Sequence, residues 1–319
     1  MKALVLAAGF GTRLRPLTNI YPKPLCPFFG IPFLDLSFYR IREQVRDIAV
    51  NTHYLSQKIE KFIDSHPLQD RISVFKEEKI RGTGGALFPI KDWLGDEDLL
   101  IYNADIISDI DINSLIKQHQ RLNPVATMVM LPTHLEGKTP VYTKEDLILS
   151  FGDKPKEYTG KFTFSGIHVV SNRFVKAIPG DVPWSIIDTY RQFIKEKHPI
   201  HYMCHDGFWA DLGTPKSLWE SHIDIISAPQ PKSLLESLGV TNIRKENHLP
   251  PITINQETLS AWSCPEEKGE EMYKSFVQTT QPIHQPIHSS IVIHHKEYNH
   301  KSSLNRCLSI DSIHIDLDD

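Results

Sequence analysis

The residues Leu6-Ala7-Ala8-Gly9-Phe10-Gly11-Thr12-Arg13-Leu14 follow directly on an apolar run, and their small side chains let backbone N–H groups come close to a phosphate chain. Arg13 adds a fixed positive charge. Shortly afterwards Pro22-Lys23-Pro24-Leu25 holds a second cation in an extended segment that two prolines pre-set. Together the two cations could bind and neutralise a polyphosphate. The spacing is not that of a dinucleotide GxGxxG, since Leu14 stands where the third glycine belongs, nor that of a Walker loop, which needs Gly-Lys-Ser/Thr. Taken alone, the glycine loop equally describes a tight turn without a ligand, and Lys23 a solvated loop residue.

The elements that must position these residues come from the pattern around them. Lys2–Ala7, Asp47–Asn51, Ile72–Phe75 and Leu99–Asn103 read as strands with amphipathic segments between them, which predicts an α/β fold with a mostly parallel sheet and helices on both faces. In such sheets ligands sit at the carboxyl ends of the strands. Val125–Leu131, Leu147–Phe151, Ser165–Val170 and His201–Cys204 are further strands, with helices at Trp184–Lys197 and from Pro215. They come closer together, so the sheet is expected to be mixed there. We place one domain at 1–227 and an irregular C-terminal extension at 228–319, where proline clusters begin. Ile287 and Ile293, like Leu304 and Ile310, lie six apart, as one or two turns of a left-handed β-helix would require. A partly ordered polar tail fits as well.

Composition sets the outer bounds. With 319 residues, 40% hydrophobic and 23% charged, the chain can bury a large core without disulfide or metal staples. A formal net charge of −4 argues against nucleic-acid binding by wholesale phosphate neutralisation. Cys26, Cys204, Cys264 and Cys307 form no CxxC pair, and the histidines of the tail, His284, His288, His294, His295 and His300, read as surface groups. No apolar stretch approaches the roughly 20 residues that would span a bilayer. The expectation is a cytoplasmic protein that does not engage a membrane.

The run from Leu6 to Thr18, followed by Pro22-Lys23-Pro24-Leu25, resembles the signature of the nucleotidyltransferases that activate sugar 1-phosphates. The likeness extends through Gly82-Thr83-Gly84-Gly85, Asn103-Ala104-Asp105, Phe164-Ser165-Gly166-Ile167 and Trp209-Ala210-Asp211-Leu212-Gly213-Thr214. It is most similar in look to N-acetylmuramate 1-phosphate uridylyltransferases and to heptose or mannose 1-phosphate guanylyltransferases. The resemblance implies a Rossmann-like, GT-A-like nucleotide-diphospho-sugar transferase fold. The implied reaction transfers a nucleoside monophosphate from a nucleoside triphosphate, UTP or GTP, to a sugar 1-phosphate and releases pyrophosphate. It would supply NDP-sugars for the cell envelope.

Site residues follow by the same resemblance. Leu6, Ala7, Ala8, Gly9, Gly11, Thr12, Gly82, Thr83, Gly85 and Asn103 are implied to hold the nucleotide, and Glu77, or else Glu78, to read the base edge. Arg13, Lys23 and Lys154 are the implied catalytic cations. Asp153, Ser165 and Gly166 are implied to touch the sugar, although Asp153 stands where the family has Glu. Ala104 replaces a usual glycine. Asp105 closes a strand and Asp211 lies in a tight turn, so a fold that joins those strand ends makes a two-carboxylate site of the kind Mg²⁺ accepts. Singly, each could be a helix cap or turn former. Two other readings use the same residues. One is a cytidylyltransferase for phosphocholine, with Phe162, Phe164 and Trp209 as aromatic cage candidates. The other is a non-catalytic regulatory or scaffold subunit, for which the extension would drive homo-oligomerisation.

Overall fold

The computed structural model describes residues 1–133, 135–255 and 260–263, then short stretches at 272–273, 276–278, 287–288, 291–293, 304–305, 307–310 and 313–317. Two compact units emerge. The first joins Met1–Gly9, Ile41–Ile106 and Ile110–Trp209; the second joins Phe10–Arg40, Ile107–Asp109 and Ala210–Asp319. The second unit therefore unites the segment after the first glycine with the C-terminal extension, an association that a linear boundary at 227 does not express.

Nine strands build the sheet of the first unit: β1 (Lys2–Leu6), β2 (Ile48–Thr52), β3 (Ile72–Lys76), β4 (Leu99–Asn103), β5 (Ala126–Leu131), β6 (Pro140–Lys144), β7 (Leu147–Phe151), β8 (Gly160–Val170) and β9 (Ile200–Cys204). Their order is β3-β2-β1-β4-β8-β5-β9-β7-β6. The β3-β2-β1-β4 half is parallel throughout, as continuous apolar strands flanked by helices should be. Beyond β4 the sheet is mixed, because β8 runs antiparallel to both β4 and β5. The fold class read from the sequence is thus the fold observed. One strand escaped it. β6 opens on Pro140, a residue that argues against a strand yet is tolerated at a strand's first position.

β8 is long enough to serve two partners. Its Gly160–Thr163 stretch pairs with β6 and its Ile167–Val170 stretch with β4. The register against β5 shifts between Phe164 and His168, and Gly166 sits inside that irregularity at φ 85°, a conformation that glycine adopts at little cost. The core beneath contains Leu4, Ile101, Met128, Phe174, Tyr190 and Phe193, all buried. Helix Ile112–Leu122 is fixed at its start by Asp111, whose carboxylate accepts from the Ser114 amide at 2.9 Å.

The register of the parallel strands prepares the site. Leu6 lies opposite Asn51 on one side and Asn103 on the other. Three strands therefore end in one row, at the edge where the chain leaves the sheet.

In the second unit, Pro27–Phe28 and Ile31–Pro32 form a two-stranded hairpin. Helices Pro215–Ser227, Pro231–Ser237 and Val240–Glu246 follow later in the chain. The extension thus starts with helices before its strands begin. Ala261, Phe276, Ile291 and Leu308 then pair in succession as parallel rungs, as do Met272, Ile287 and Leu304. The repeat of about 15 to 17 residues is that of stacked coils. Ile287 pairs with Leu304 and Ile293 with Ile310, so the isoleucines and leucines spaced six apart occupy matching rungs. His284, His294, His295, His300 and Cys264 lie outside the described residues.

Candidate active site

In the second unit the loop after the first strand turns at Gly11, whose φ is 63°. A Cβ there would lie 2.8 Å from Thr18 Cγ2 and 3.0 Å from Lys23 Cβ, so glycine is required for the loop to lie against the Lys23 segment. The Thr18 hydroxyl donates to the Gly11 carbonyl at 2.8 Å and fastens the turn. Arg13 follows in the short turn Thr12–Leu14, whose anchor is the fully buried Leu14. Pro22 is extended, but Lys23 opens the short turn Lys23–Leu25 instead of continuing the extended segment that the flanking prolines implied.

Asp211 closes the short strand Trp209–Asp211, which pairs with Ile106–Ser108. Lys23 Nζ stands 4.0 Å from Asp211 Oδ1, with both side chains mostly covered. A Cβ on Gly213 would be 2.9 Å from Arg13 Nη2 and 3.0 Å from Asp211 Oδ1. Glycine at 213 therefore keeps open the space into which the guanidinium and the carboxylate reach. Arg13 and Lys23 from one end of the chain and Asp211 from far along it form one charged corner. Downstream, Thr214 caps helix Pro215–Ser227 in a reciprocal arrangement with Ser217, which fixes the turn carrying Asp211. Nearby Cys26 is no nucleophile, since burial pushes its thiol well above the usual range.

The first unit arranges its polar groups differently. The Ala7 amide donates to Asn51 Oδ1 at 2.8 Å, and Asn51 Nδ2 donates to Glu77 Oε1 at 2.7 Å. Glu77 Oε2 accepts from the Arg81 amide at 2.8 Å, and Glu77 is 2% exposed. Glu77 is thus a buried tie between the first loop and the Gly82 turn. Glu78 beside it is exposed. The Ala7 amide is likewise committed to Asn51. Asn51 was missed in the sequence, although its place at the end of β2 was the signal that could have found it.

Gly82, Gly84 and Gly85 answer to Trp184. The amides of Gly84 and Gly85 donate to the Trp184 carbonyl at 2.9 and 3.1 Å, and Trp184 returns its own amide to Arg81 O at 2.8 Å. Any Cβ on the three glycines would come within 3 Å of this strap or its neighbour Val182. Thr83 Oγ1 accepts from the Ile186 amide at 3.2 Å. The Gly85 amide expected to face a nucleotide is therefore satisfied inside the protein. Gly9 differs, because it is exposed and a Cβ there would meet none of the described residues within 4 Å. Among the described residues, no contact calls for glycine at that position. Ala8 is buried beside it and Thr12 is exposed.

Asn103 ends β4, and its amide passes Gly166 so closely that a Cβ on Gly166 would lie 2.7 Å from Asn103 Nδ2. Ser165 is 1% exposed, its hydroxyl accepting from the Ile167 amide at 3.2 Å and its carbonyl from Trp209 Nε1 at 2.9 Å. Its side chain is thus enclosed within the strand. Asp105 is half-buried in the turn after β4, which is pinned by the Ala104 amide on Leu6 O at 3.1 Å. Asp153 and Lys154 are exposed on the loop after β7, where Gly152 takes φ 87°. Lys154 Nζ lies 5.6 Å from the centre of the Tyr158 ring.

Residues 2–228 match the model of the family described as nucleotidyl transferase. The chain belongs to that family. The chain is 30% identical over 224 residues to the mannose-1-phosphate guanylyltransferase catalytic subunit beta of Danio rerio, covering 68% of the chain and 62% of the relative. The chain thus spans less than two thirds of that relative's length. A second relative of the same name, from Dictyostelium discoideum, is 28% identical over 250 residues, covering 75% of the chain and 69% of the relative. The fold is shared with the UDP-glucose pyrophosphorylase of Acinetobacter baumanii at a TM-score of 0.61 and 15% identity, covering 74% of this chain and 97% of that one. Among the described residues, no helix is long and apolar enough to cross a membrane.

Proposed function

We propose that the chain transfers a nucleoside monophosphate from a nucleoside triphosphate to a sugar 1-phosphate and releases pyrophosphate. The observation that carries this reading is the corner in which Arg13 and Lys23 converge on Asp211. A sugar-phosphate oxygen attacks the α-phosphorus and the bond to pyrophosphate breaks, so no protein nucleophile is needed. The obstacle is the approach of two polyanions. Unit charges 4 Å apart interact by about 1 kcal/mol in water and by about 4 kcal/mol at an effective dielectric of 20, which makes positioned cations decisive. Lys23 and Lys154 orient the attacking phosphate and the α-phosphate, and Arg13 holds the departing pyrophosphate. Asp211 keeps Lys23 in place until substrate arrives.

Asp105 and Asp211 are the proposed ligands of Mg²⁺, and their hard carboxylate oxygens fit it. Among the described residues, no group of three or more His, Cys, Asp or Glu is arranged to hold a metal, so water and phosphate oxygens would complete the set, as Mg²⁺ prefers. When bound, the ion neutralises phosphate charge. Gly9 leaves room for the approach of a phosphate, and the exposed Glu78 is better placed than Glu77 for direct base contact.

Pyrophosphate release across four nucleoside triphosphates and several sugar 1-phosphates tests the reading. GTP with mannose 1-phosphate is the first pair, because two relatives carry that activity in their names. UTP is the next nucleotide. Folded protein that releases pyrophosphate with no sugar 1-phosphate in the matrix would contradict the proposal.

A further inference from the structure

Residues Phe29 and Gly30 turn the hairpin between Pro27–Phe28 and Ile31–Pro32, with φ values of 47° and 75°. A two-residue loop with both φ values positive favours Asn-Gly or Asp-Gly, and a bulky aromatic at its first position is held against its own preference. Strain of this sort persists only where surroundings over-determine it. Here both backbone polar groups of Phe29 are gripped by buried side chains from far along the chain. The Phe29 amide donates to His222 Nε2 at 3.0 Å, and Arg244 Nη1 donates to the Phe29 carbonyl at 2.8 Å.

Each holder is itself held. His222 donates from Nδ1 to Leu218 O at 2.8 Å, which leaves Nε2 as the acceptor, and its ring lies 4.4 Å from both the Phe28 and the Phe29 ring centres. Arg244 is 2% exposed, and its Nε and Nη2 donate to Pro250 O at 3.0 and 2.7 Å. Further along, Arg40 Nη1 donates to Ser237 O at 2.6 Å, and Gly239 lies so close to the Tyr39 ring that a Cβ would fall 2.2 Å from it. The hairpin connects to Lys23 through Cys26. The Cys26 amide donates to Lys23 O at 3.0 Å, and the Cys26 carbonyl accepts from the Phe33 amide at 3.1 Å, closing the hairpin behind the lysine.

We infer that Arg244 and His222 are positioning residues: by clamping the Phe29 peptide they fix the Lys23 segment against Asp211, so the start of the extension is a brace for the charged corner. The inference rests on the role proposed above for Lys23. A clamp on a backbone carbonyl cannot alter the chemistry of Lys23, only where its ammonium stands. Its loss should therefore be felt in the transition state more than in substrate binding.

The test is steady-state kinetics on the full chain, with the substrate pair the matrix identifies, for Arg244→Met, Arg244→Lys, Lys23→Ala and the double variant Lys23→Ala/Arg244→Met. We expect Arg244→Met to lower kcat at least tenfold with KM for the nucleotide changed less than threefold, and Arg244→Lys to recover part of the loss. With Lys23 already gone, Arg244→Met should change kcat less than twofold. Wild-type kcat in Arg244→Met, or the same loss with and without Lys23, overturns the inference while leaving the role of Lys23 intact. Near wild-type turnover in Lys23→Ala instead removes the reading on which the inference rests. Should Arg244→Met not fold, His222→Gln keeps an acceptor for the Phe29 amide and His222→Leu removes it. A loss confined to the leucine variant supports the clamp, and equal kcat in the two overturns it.

Discussion

The two units handle glycine and charge in opposite ways. In the first, Gly84, Gly85, Ala7 and Glu77 direct their polar groups to Trp184, Asn51 and Arg81, so motifs that look made for a ligand first hold the protein to itself. In the second, Gly11 and Gly213 make room for side chains, and those side chains are Arg13, Lys23 and Asp211. The lesson is that a glycine-rich motif reports close approach without saying what approaches. What a Cβ would meet at each position separates the cases: Gly82, Gly84 and Gly85 meet backbone or the Trp184 ring, Gly213 meets charged groups, and Gly9 meets none of the described residues.

That contrast can be broken by substitution. The largest effect belongs to the charged corner: Asp211→Ala should lower turnover about a hundredfold, or about 3 kcal/mol, as the loss of other preorganised electrostatic groups does. Unchanged melting alongside would place the loss in chemistry rather than folding. In the first unit the effect should be on stability instead. Glu77→Gln leaves one acceptor where Asn51 and the Arg81 amide need two, at a cost of about 1–3 kcal/mol in a denaturant titration. A large fall in turnover with unaltered stability would move Glu77 back to the ligand.

Gly213→Ala sharpens the comparison. The new methyl would come within 3.0 Å of both Arg13 Nη2 and Asp211 Oδ1, groups that can shift without disturbing the core. We expect about tenfold slower turnover, or about 1.4 kcal/mol, with the fold intact. A further effect is a slope in pH and leaves turnover aside. Burial pushes His222 down to about 3 from an ordinary 6.5, so this group takes up a proton on unfolding throughout that window. Its contribution to stability is complete above about pH 6.5 and is lost as pH falls toward 3, at about 1.4 kcal/mol per pH unit. His168, also lowered to about 3 by burial, acts in the same direction in the first unit. Denaturation midpoints between pH 7 and pH 4.5 should therefore fall less steeply in His222→Gln than in wild type.

Much of this was legible in the sequence for a physical reason. Continuous apolar runs declare parallel strands, and the strand-end rule then points to Asn103 and Asp105. Lys23 between two prolines announced its own rigidity. What the sequence hid were partnerships across the chain: Asn51 with Glu77, the glycines with Trp184, and Phe29 with His222 and Arg244. A buried histidine or arginine has no local signature, because its partners lie 193 and 215 residues away. The burial of Ser165 was hidden for a related reason, since one residue of a motif can be wholly inside a strand. The extension looked irregular because rungs of two or three residues carry too little pattern to be read as strands.

The most direct measurement is the transfer of α-phosphorus label from nucleoside triphosphate into a product that forms only when sugar 1-phosphate is present, compared between wild type and Lys23→Ala. The account predicts labelled nucleotide-sugar from the wild type and about one hundredth of it from the variant, with both proteins folded. Equal label transfer by the two, or none by wild type with any sugar 1-phosphate, would contradict it.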